Sequence, residues 1–280
     1  MTGRVQGKVA FITGAARSQG RSHAVRLASE GADIIAVDLC EEIDSVKRFY
    51  PGTTAGDLAQ TVKEVEALDR RIMATKADVR DYDALKAALD EGVAELGRVD
   101  IVSANAGIFI FGDQTHLVSE SDWADVLDVN LTGVWHTCKA VIPHLIEQGR
   151  GGSIILTSST AGLKGTPNVA PYTASKHAVV GLMRTLANEL GPHSIRVNTV
   201  HPTVVATPMV LNEPLYKLFM PDVEAPTQEQ AAVLFESVHA LPVPWVESID
   251  ISNAVLFLAS DESRYVTGTE LKIDAGYTVR

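Results

Sequence analysis

The sequence predicts an α/β protein built on a doubly wound parallel sheet. Three observations predict it. Short β-branched runs alternate with amphipathic stretches along the whole chain. Those runs are apolar throughout rather than alternating, the mark of strands buried on both faces. A glycine-containing turn, Thr13-Gly14 to Gly20, joins the first run to the first amphipathic stretch. The 280 residues suit a single such domain, 1–280, with embellishments rather than two large ones.

The elements follow in order. Strands are expected at Val9 to Thr13, Ile34 to Val37, Ile72 to Thr75, Ile101 to Ser103, Ile154 to Thr157, Arg196 to Val200 and Leu271 to Ile273. Helices are expected between them. Arg21 to Glu30 closes at Gly31, a usual residue just past a helix end. Asp57 to Arg70 carries Leu58, Val62, Val65 and Leu68 on one stripe. Tyr82 to Leu96 closes at Gly97, and one long helix is expected over Asp122 to Glu147. Tyr172 to Leu190 closes at Gly191-Pro192, and Asn253 to Leu258 opens another helix. Two stretches break the rhythm: Cys40 to Gly56, which contains Pro51-Gly52, and Thr203 to Asp250, which holds six prolines and cannot be one helix. A loop as long as the second reads as a substrate lid over about 203–250.

Composition narrows the function. Net charge is −11, which argues against nucleic acid or an anionic membrane as partner. No apolar run approaches the roughly 18 residues of a membrane span, and the N-terminus runs into a strand without a signal-peptide pattern. Two cysteines, Cys40 and Cys138, read as buried thiols of a reducing compartment, so a cytoplasmic location is expected. The eight histidines are scattered, and no metal site is expected.

The turn after the first strand, Gly14-Ala15-Ala16-Arg17-Ser18-Gln19-Gly20, permits close backbone approach and presents helix N–H groups to a pyrophosphate. An ordinary glycine turn would look the same. Asp38 ends the second strand, where an acidic residue can accept from both hydroxyls of an adenosine ribose and repel a 2′-phosphate. That favours NAD over NADP. Arg17 pulls the other way, as a cation able to meet such a phosphate. Asp78 follows the third strand, where it can reach an adenine amino group or simply form a turn.

Tyr172 and Lys176 stand at i and i+4 on one helix face. A phenol with pKa about 10 is a poor base at neutral pH, and a nearby ammonium stabilises the phenolate. Tyr82 and Lys86 share the spacing but lack the partners, and read as a decoy. Ser159 precedes Tyr172 by thirteen positions and lies past the Ile154 to Thr157 strand, at the strand end where open α/β sheets bind ligands. Its hydroxyl can polarise a carbonyl. Asn130 lies in the long helix, where an amide at a kink could hold a water relaying protons to Lys176.

The ordered set Thr13-Gly14…Gly20, Asn105-Ala106-Gly107, Asn130, Ser159, Tyr172-x-x-x-Lys176 and Pro202…Thr207 resembles the short-chain dehydrogenase/reductase family over nearly the whole chain. The stretch Gly7 to Cys40, with the extension after Asp38, is similar to the mycofactocin-coupled, carveol-dehydrogenase-like subgroup. The resemblance implies a Rossmann-type fold and hydride transfer between NAD(P) and an alcohol or carbonyl. It implies Tyr172 as acid/base, Lys176 on the nicotinamide ribose and tuning Tyr172, Ser159 orienting substrate and Asn130 anchoring a relay. It places Gly14, Arg17, Ser18, Gln19, Gly20, Asp38, Leu39, Asp78, Val79, Asn105, Ala106, Gly107, Tyr172, Lys176, Val205 and Thr207 at the cofactor. It further implies tightly held NAD recycled by a redox carrier such as mycofactocin, and a homotetramer. Three positions depart from the family pattern: Ser18 replaces a middle glycine, Ala104 the first asparagine of Asn-Asn-Ala-Gly, and Thr203 the glycine of Pro-Gly.

The lid carries Met209, Leu211, Leu215, Tyr216, Phe219, Met220, Phe235 and Trp245, and Ile108-Phe109-Ile110-Phe111 leaves the fourth strand nearby. Such lining suits a hydrophobic secondary alcohol, cyclic or terpenoid, though the same residues can simply pack the lid down. The competing reading is a silent NAD-binding sensor of the same fold. An intact Ser159, Tyr172 and Lys176 set argues for turnover.

Overall fold

The structure is a computed structural model, and it describes residues 3–280. One seven-stranded parallel sheet runs through it in the order β3-β2-β1-β4-β5-β6-β7. The strands are β1 Val9–Thr13, β2 Asp33–Asp38, β3 Ile72–Lys76, β4 Ile101–Ala104, β5 Gly152–Thr157, β6 Ile195–Pro202 and β7 Glu270–Ile273. Every residue of β1, β2 and β4 is buried, whereas the edge strands β3 and β7 are only half-buried. The unbroken apolar runs of the centre follow from that double coverage. β2 and β6 are longer than their apolar runs because Asp33, Asp38, His201 and Pro202 also take the extended ladder.

Helices α1 Ser18–Ala28, α2 Ala55–Glu66 and α3 Tyr82–Leu96 connect the first four strands. Side chains cap two of their N-termini: Thr54 and Asp57 form a reciprocal box on α2, and Asp81 accepts from Ala84 N–H on α3. The expected long helix is three pieces: α4 Glu120–Leu127, a π turn over Asp128–Thr132, and α5 Gly133–Gln148. One extra residue per turn there rotates Asn130 into the interior, where it is fully buried. α6 Ala170–Leu190 follows β5.

The lid contains two short helices, α7 Glu213–Phe219 and α8 Gln228–Ser237. Its base is closed where Val205 pairs with Val246, with Ala206 N–H donating to Val246 O at 3.0 Å. α9 Ser248–Ala259 then returns the chain to the sheet. The lid owns a small core of Phe111, Val169, Leu215, Tyr216, Ala231 and Phe235. Most of its apolar residues therefore pack on one another. Cys138 is buried, but Cys40 is half-buried with a left-handed φ of 51°. No helix among the described residues is long and apolar enough to cross a membrane.

Candidate active site

The strand order reverses between β1 and β4, and a cleft opens at the carboxyl ends of β1, β2, β3 and β4. Thr13 Oγ1 stitches the seam, accepting from Asn105 N–H at 3.1 Å and Ala106 N–H at 3.2 Å. The Asn105 amide donates back to Thr13 O at 3.1 Å. Gly14 turns there with φ +68°, and a Cβ on it would lie 2.9 Å from the Ala106 Cα. At Gly20 a Cβ would stand 1.9 Å from Gly14 O, so the first turn of α1 packs directly on the strand-ending turn. Ser18 replaces glycine yet adopts φ +50°, at a cost of about 1 kcal/mol.

The N-terminus of α1 has no side-chain cap, and the buried Gln19 Oε1 has no partner. Open helix N–H groups beside a glycine turn fit a pyrophosphate. Gly14, Arg17, Ser18, Gln19, Gly20, Asp38, Leu39, Asp78, Val79, Asn105, Ala106, Gly107 and Thr207 all line the cleft. Val205 does not; it is buried in the pairing at the lid base.

The local roles differ from expectation at three of these positions. Asp38 already accepts from Ala16 N–H at 2.9 Å, Cys40 N–H at 3.1 Å and the Thr53 hydroxyl at 2.5 Å. That leaves about one acceptor direction for a ligand hydroxyl instead of two. Arg17 donates to Gly52 O at 3.0 Å and Pro51 O at 2.6 Å, so its charge tethers a loop. Asp78 is paired with Arg80 at 2.6 Å and also accepts from Arg80 N–H.

The loop that Arg17 holds is a strap over residues 40–56, whose cleft-facing residues Ile43, Val46, Tyr50, Gly52 and Thr53 the motifs did not reveal. The Tyr50 hydroxyl accepts from Phe109 N–H at 2.9 Å. Arg48 bonds Asp122 and Ser45 bonds Asp125, each at 2.6 Å. The Pro-Gly pair and the break in periodicity were the only signals of this extension.

Behind Gly107 stand the groups of the second motif. A Cβ built on Gly107 would lie 3.2 Å from Asn130 Oδ1 and 3.5 Å from Lys176 Nζ. Ser159, just past β5, accepts from Ala161 N–H through Oγ at 3.1 Å, which frees its own O–H. It faces the Tyr172 phenol. Phe109 packs edge-on against Tyr172 at 4.7 Å between centroids. Thr207 and Met209 are the lid residues at the cleft.

Electrostatics here run against expectation. Burial pushes the Tyr172 phenol above its usual value, and the Ser159 hydroxyl draws it partly back down. The buried Lys176 is pushed down to about 8 by desolvation. Its ammonium donates to Thr157 O at 2.9 Å and lies 5.5 Å from the Tyr172 ring centre. Both groups are thus driven toward their neutral forms. The Asn130 amide is also committed: Oδ1 accepts from Ile108 N–H and Nδ2 donates to Ile108 O, both at 2.8 Å. Its side chain locks the π turn onto the segment after β4, which leaves one lone pair of Oδ1 uncommitted. At the decoy pair, Lys86 bonds Asp90 and the Tyr82 ring lies 4.0 Å from Lys139 Nζ.

The short chain dehydrogenase family signature matches residues 8–215. The chain belongs to that family. A putative short-chain type dehydrogenase/reductase from Mycolicibacterium smegmatis is 63% identical over 276 residues, covering 99% of both chains. The (-)-trans-carveol dehydrogenase of Rhodococcus erythropolis is 53% identical, again over 99% of each. Among solved structures, carveol dehydrogenase from Mycobacterium avium in complex with NAD superposes with a TM-score of 0.98, at 58% identity and full coverage of both chains. In this short-chain dehydrogenase, Ser159 lies just past β5, Tyr172 and Lys176 lie on α6, and the cleft lies at the carboxyl ends of β1 to β4, with Gly107 between the two regions.

Proposed function

We propose that this enzyme is an NAD-dependent dehydrogenase that oxidises a hydrophobic secondary alcohol, of the cyclic or terpenoid kind, to its ketone. One observation carries the reading: Ser159 faces the Tyr172 phenol, Lys176 lies 5.5 Å from the Tyr172 ring centre, and Lys176 Nζ stands 3.5 Å from where a Gly107 Cβ would sit, so the three side chains lie behind Gly107, which lines the cleft, rather than on the cleft wall itself. The NAD complex and the carveol dehydrogenases among its relatives support the cofactor and the substrate class.

Gly14, Ser18, Gln19 and Gly20 would hold the pyrophosphate, Asp38 an adenosine ribose hydroxyl, and Asn105 to Gly107 with Lys176 the nicotinamide half. Bound NAD supplies the hydride acceptor. The Ser159 O–H, which faces the Tyr172 phenol in the structure, would turn to the substrate oxygen, donate to it and orient it. Tyr172 acts as the phenolate: it first loses its own proton to solvent, a loss favoured by the Lys176 ammonium 5.5 Å from its ring centre, and then takes the hydroxyl proton as the carbinol C–H electron pair leaves and the C=O double bond forms. A raised phenol is a weak acid, so Tyr172 holds that proton well after transfer. Lys176, held low by burial, gains or loses charge near neutral pH and balances the phenolate. Phe109 and Met209 give the alcohol apolar walls.

The strap supports slow NAD exchange, since it is anchored to Arg17, Asp38 and Phe109 around the cleft. Regeneration by an external redox carrier such as mycofactocin is consistent with that. Exposed Trp123, Trp135 and Ile146 on α4 and α5 support burial against further copies, as in a homotetramer. The two free thiols support a reducing cytoplasm.

The test is a panel of alcohols with purified enzyme, reading NADH absorbance in a single turnover. Cyclic secondary alcohols should reduce the bound NAD, and Tyr172→Phe should retain NAD but abolish reduction. Turnover confined to charged polyols refutes the substrate class. A near-normal rate in Tyr172→Phe removes that residue from the mechanism.

A further inference from the structure

The strand β6 ends beside the active site on a histidine that the mechanism does not use. His201 is fully buried. Its Nδ1 lies 2.7 Å from the carbonyl oxygen of Ser159, and its Nε2 lies 2.8 Å from Thr199 Oγ1. A carbonyl oxygen can only accept, so Nδ1 carries the proton. The Nε2 of the neutral ring then accepts from the Thr199 hydroxyl at 2.8 Å, a shorter contact than the 3.3 Å from that hydroxyl to Thr269 O. Thr199 is itself anchored, donating its N–H to Thr269 O at 3.0 Å. Burial holds the imidazole below its usual pKa, which keeps this tautomer neutral.

We propose that His201 is a positioning residue that fixes the Ser159 backbone, and through it the direction of the Ser159 hydroxyl. The inference rests on the reading above that Ser159 orients the substrate oxygen. Ser159 is the extended residue before a short turn, with φ −170° and ψ 167°. Its other bonds come from within that turn: Gly162 N–H to its carbonyl at 2.9 Å and Ala161 N–H to its Oγ at 3.1 Å. Ser158, just before it, is fixed by its N–H to Val200 O and its Oγ to Lys176 O, both at 3.0 Å, so beyond that point the Ser159 peptide and its turn can still pivot. His201 ties it to β6, which is paired with β5 in register up to Thr157 and with β7 on its far side. The imidazole occupies the second lone pair of the Ser159 carbonyl, so the peptide plane cannot tilt without breaking a buried bond. A shift of about 1 Å in a substrate-orienting group costs on the order of 100-fold in rate.

The side-chain amide of asparagine places its nitrogen near the imidazole Nδ1, whereas that of glutamine reaches toward Nε2. This contrast gives a test independent of bulk polarity. His201→Leu and His201→Gln should lower kcat for a cyclic secondary alcohol by about tenfold, with KM changed by less than about threefold. His201→Asn should restore most of kcat. NAD content, measured by mass after denaturation, should be unchanged in all three. His201→Leu placed on Ser159→Ala should be no slower than Ser159→Ala alone, because both remove one function.

Three results overturn the inference. One is a kcat for both His201→Leu and His201→Gln within about twofold of wild type. Another is an asparagine variant as slow as the glutamine one. The third is a further loss when His201→Leu is added to Ser159→Ala, which would place its effect elsewhere in the fold. Should leucine not fold, the asparagine and glutamine pair decides alone. Ser159→Ala at the wild-type rate would instead strike the reading of Ser159, a failure visible without any His201 variant.

Discussion

Replacing Lys176 by methionine should abolish turnover and stabilise the cofactor-free protein. Burial lowers the ammonium pKa from its usual 10.5 to about 8. That difference of roughly 2.5 pH units corresponds to about 3 kcal/mol of destabilisation wherever both folded and unfolded chains carry the charge, as they do at pH 7. Methionine has a similar length and no charge to desolvate. It also forfeits the bond to Thr157 O at 2.9 Å, which offsets the gain by about 1 kcal/mol. The net gain of about 2 kcal/mol raises Tm by about 3 °C in a chain of this size. The pH dependence supplies a second, sharper signature. Below pH 8 the penalty is fully present. Between pH 8 and 10.5 the folded wild type sheds the proton while the unfolded chain keeps it, so wild-type stability recovers. The advantage of the methionine variant should therefore shrink across that window and reverse above it, to about 1 kcal/mol in favour of the wild type, whose neutral lysine keeps its bond to Thr157 O. Calorimetry of both proteins, freed of NAD, from pH 7 to pH 11 measures this, because the other groups titrate in common. A lower Tm for the methionine variant at pH 7, or a pH-independent difference, refutes the reasoning.

Other perturbations test the cleft. Gly20→Ala forces a Cβ to within 1.9 Å of Gly14 O, so calorimetry should show a loss of about 2 kcal/mol and NAD should be absent from the purified protein. Arg17→Ala removes two bonds to the strap, worth about 2 kcal/mol together in this partly exposed place. NAD release, followed by gel filtration over time, should then be about 30-fold faster; unchanged retention would mean the strap does not govern exchange. Tyr82→Phe should leave kcat unaltered, since the Tyr82 ring packs under Lys139 and Lys86 is held by Asp90.

Most of the sheet was legible because a central parallel strand must be apolar on both faces. The runs at Val9, Ile101 and Ile154 match strands of the ladder. The edges of elements were less so. Ser18 and Gln19 lie inside α1 although the expected helix opens at Arg21, because the uncapped first turn carries no start signal. The long helix over Asp122 to Glu147 hides its π turn, because one extra residue leaves the apolar stripe nearly continuous.

The reacting side chains were readable from spacing, since i and i+4 on a helix must share a face, and the turn chemistry of Gly14 and Gly20 is local. Partners distant in the chain were not. Arg17 chooses two carbonyls 34 and 35 residues away, and Asp38 is shared among Ala16, Cys40 and Thr53. The Asn130 amide closes on Ile108, His201 on Ser159. Local pattern specifies conformation and which residue types can react. Proton affinity and the choice among competing donors depend on burial and on who arrives from elsewhere, and those arise only when the chain has closed on itself.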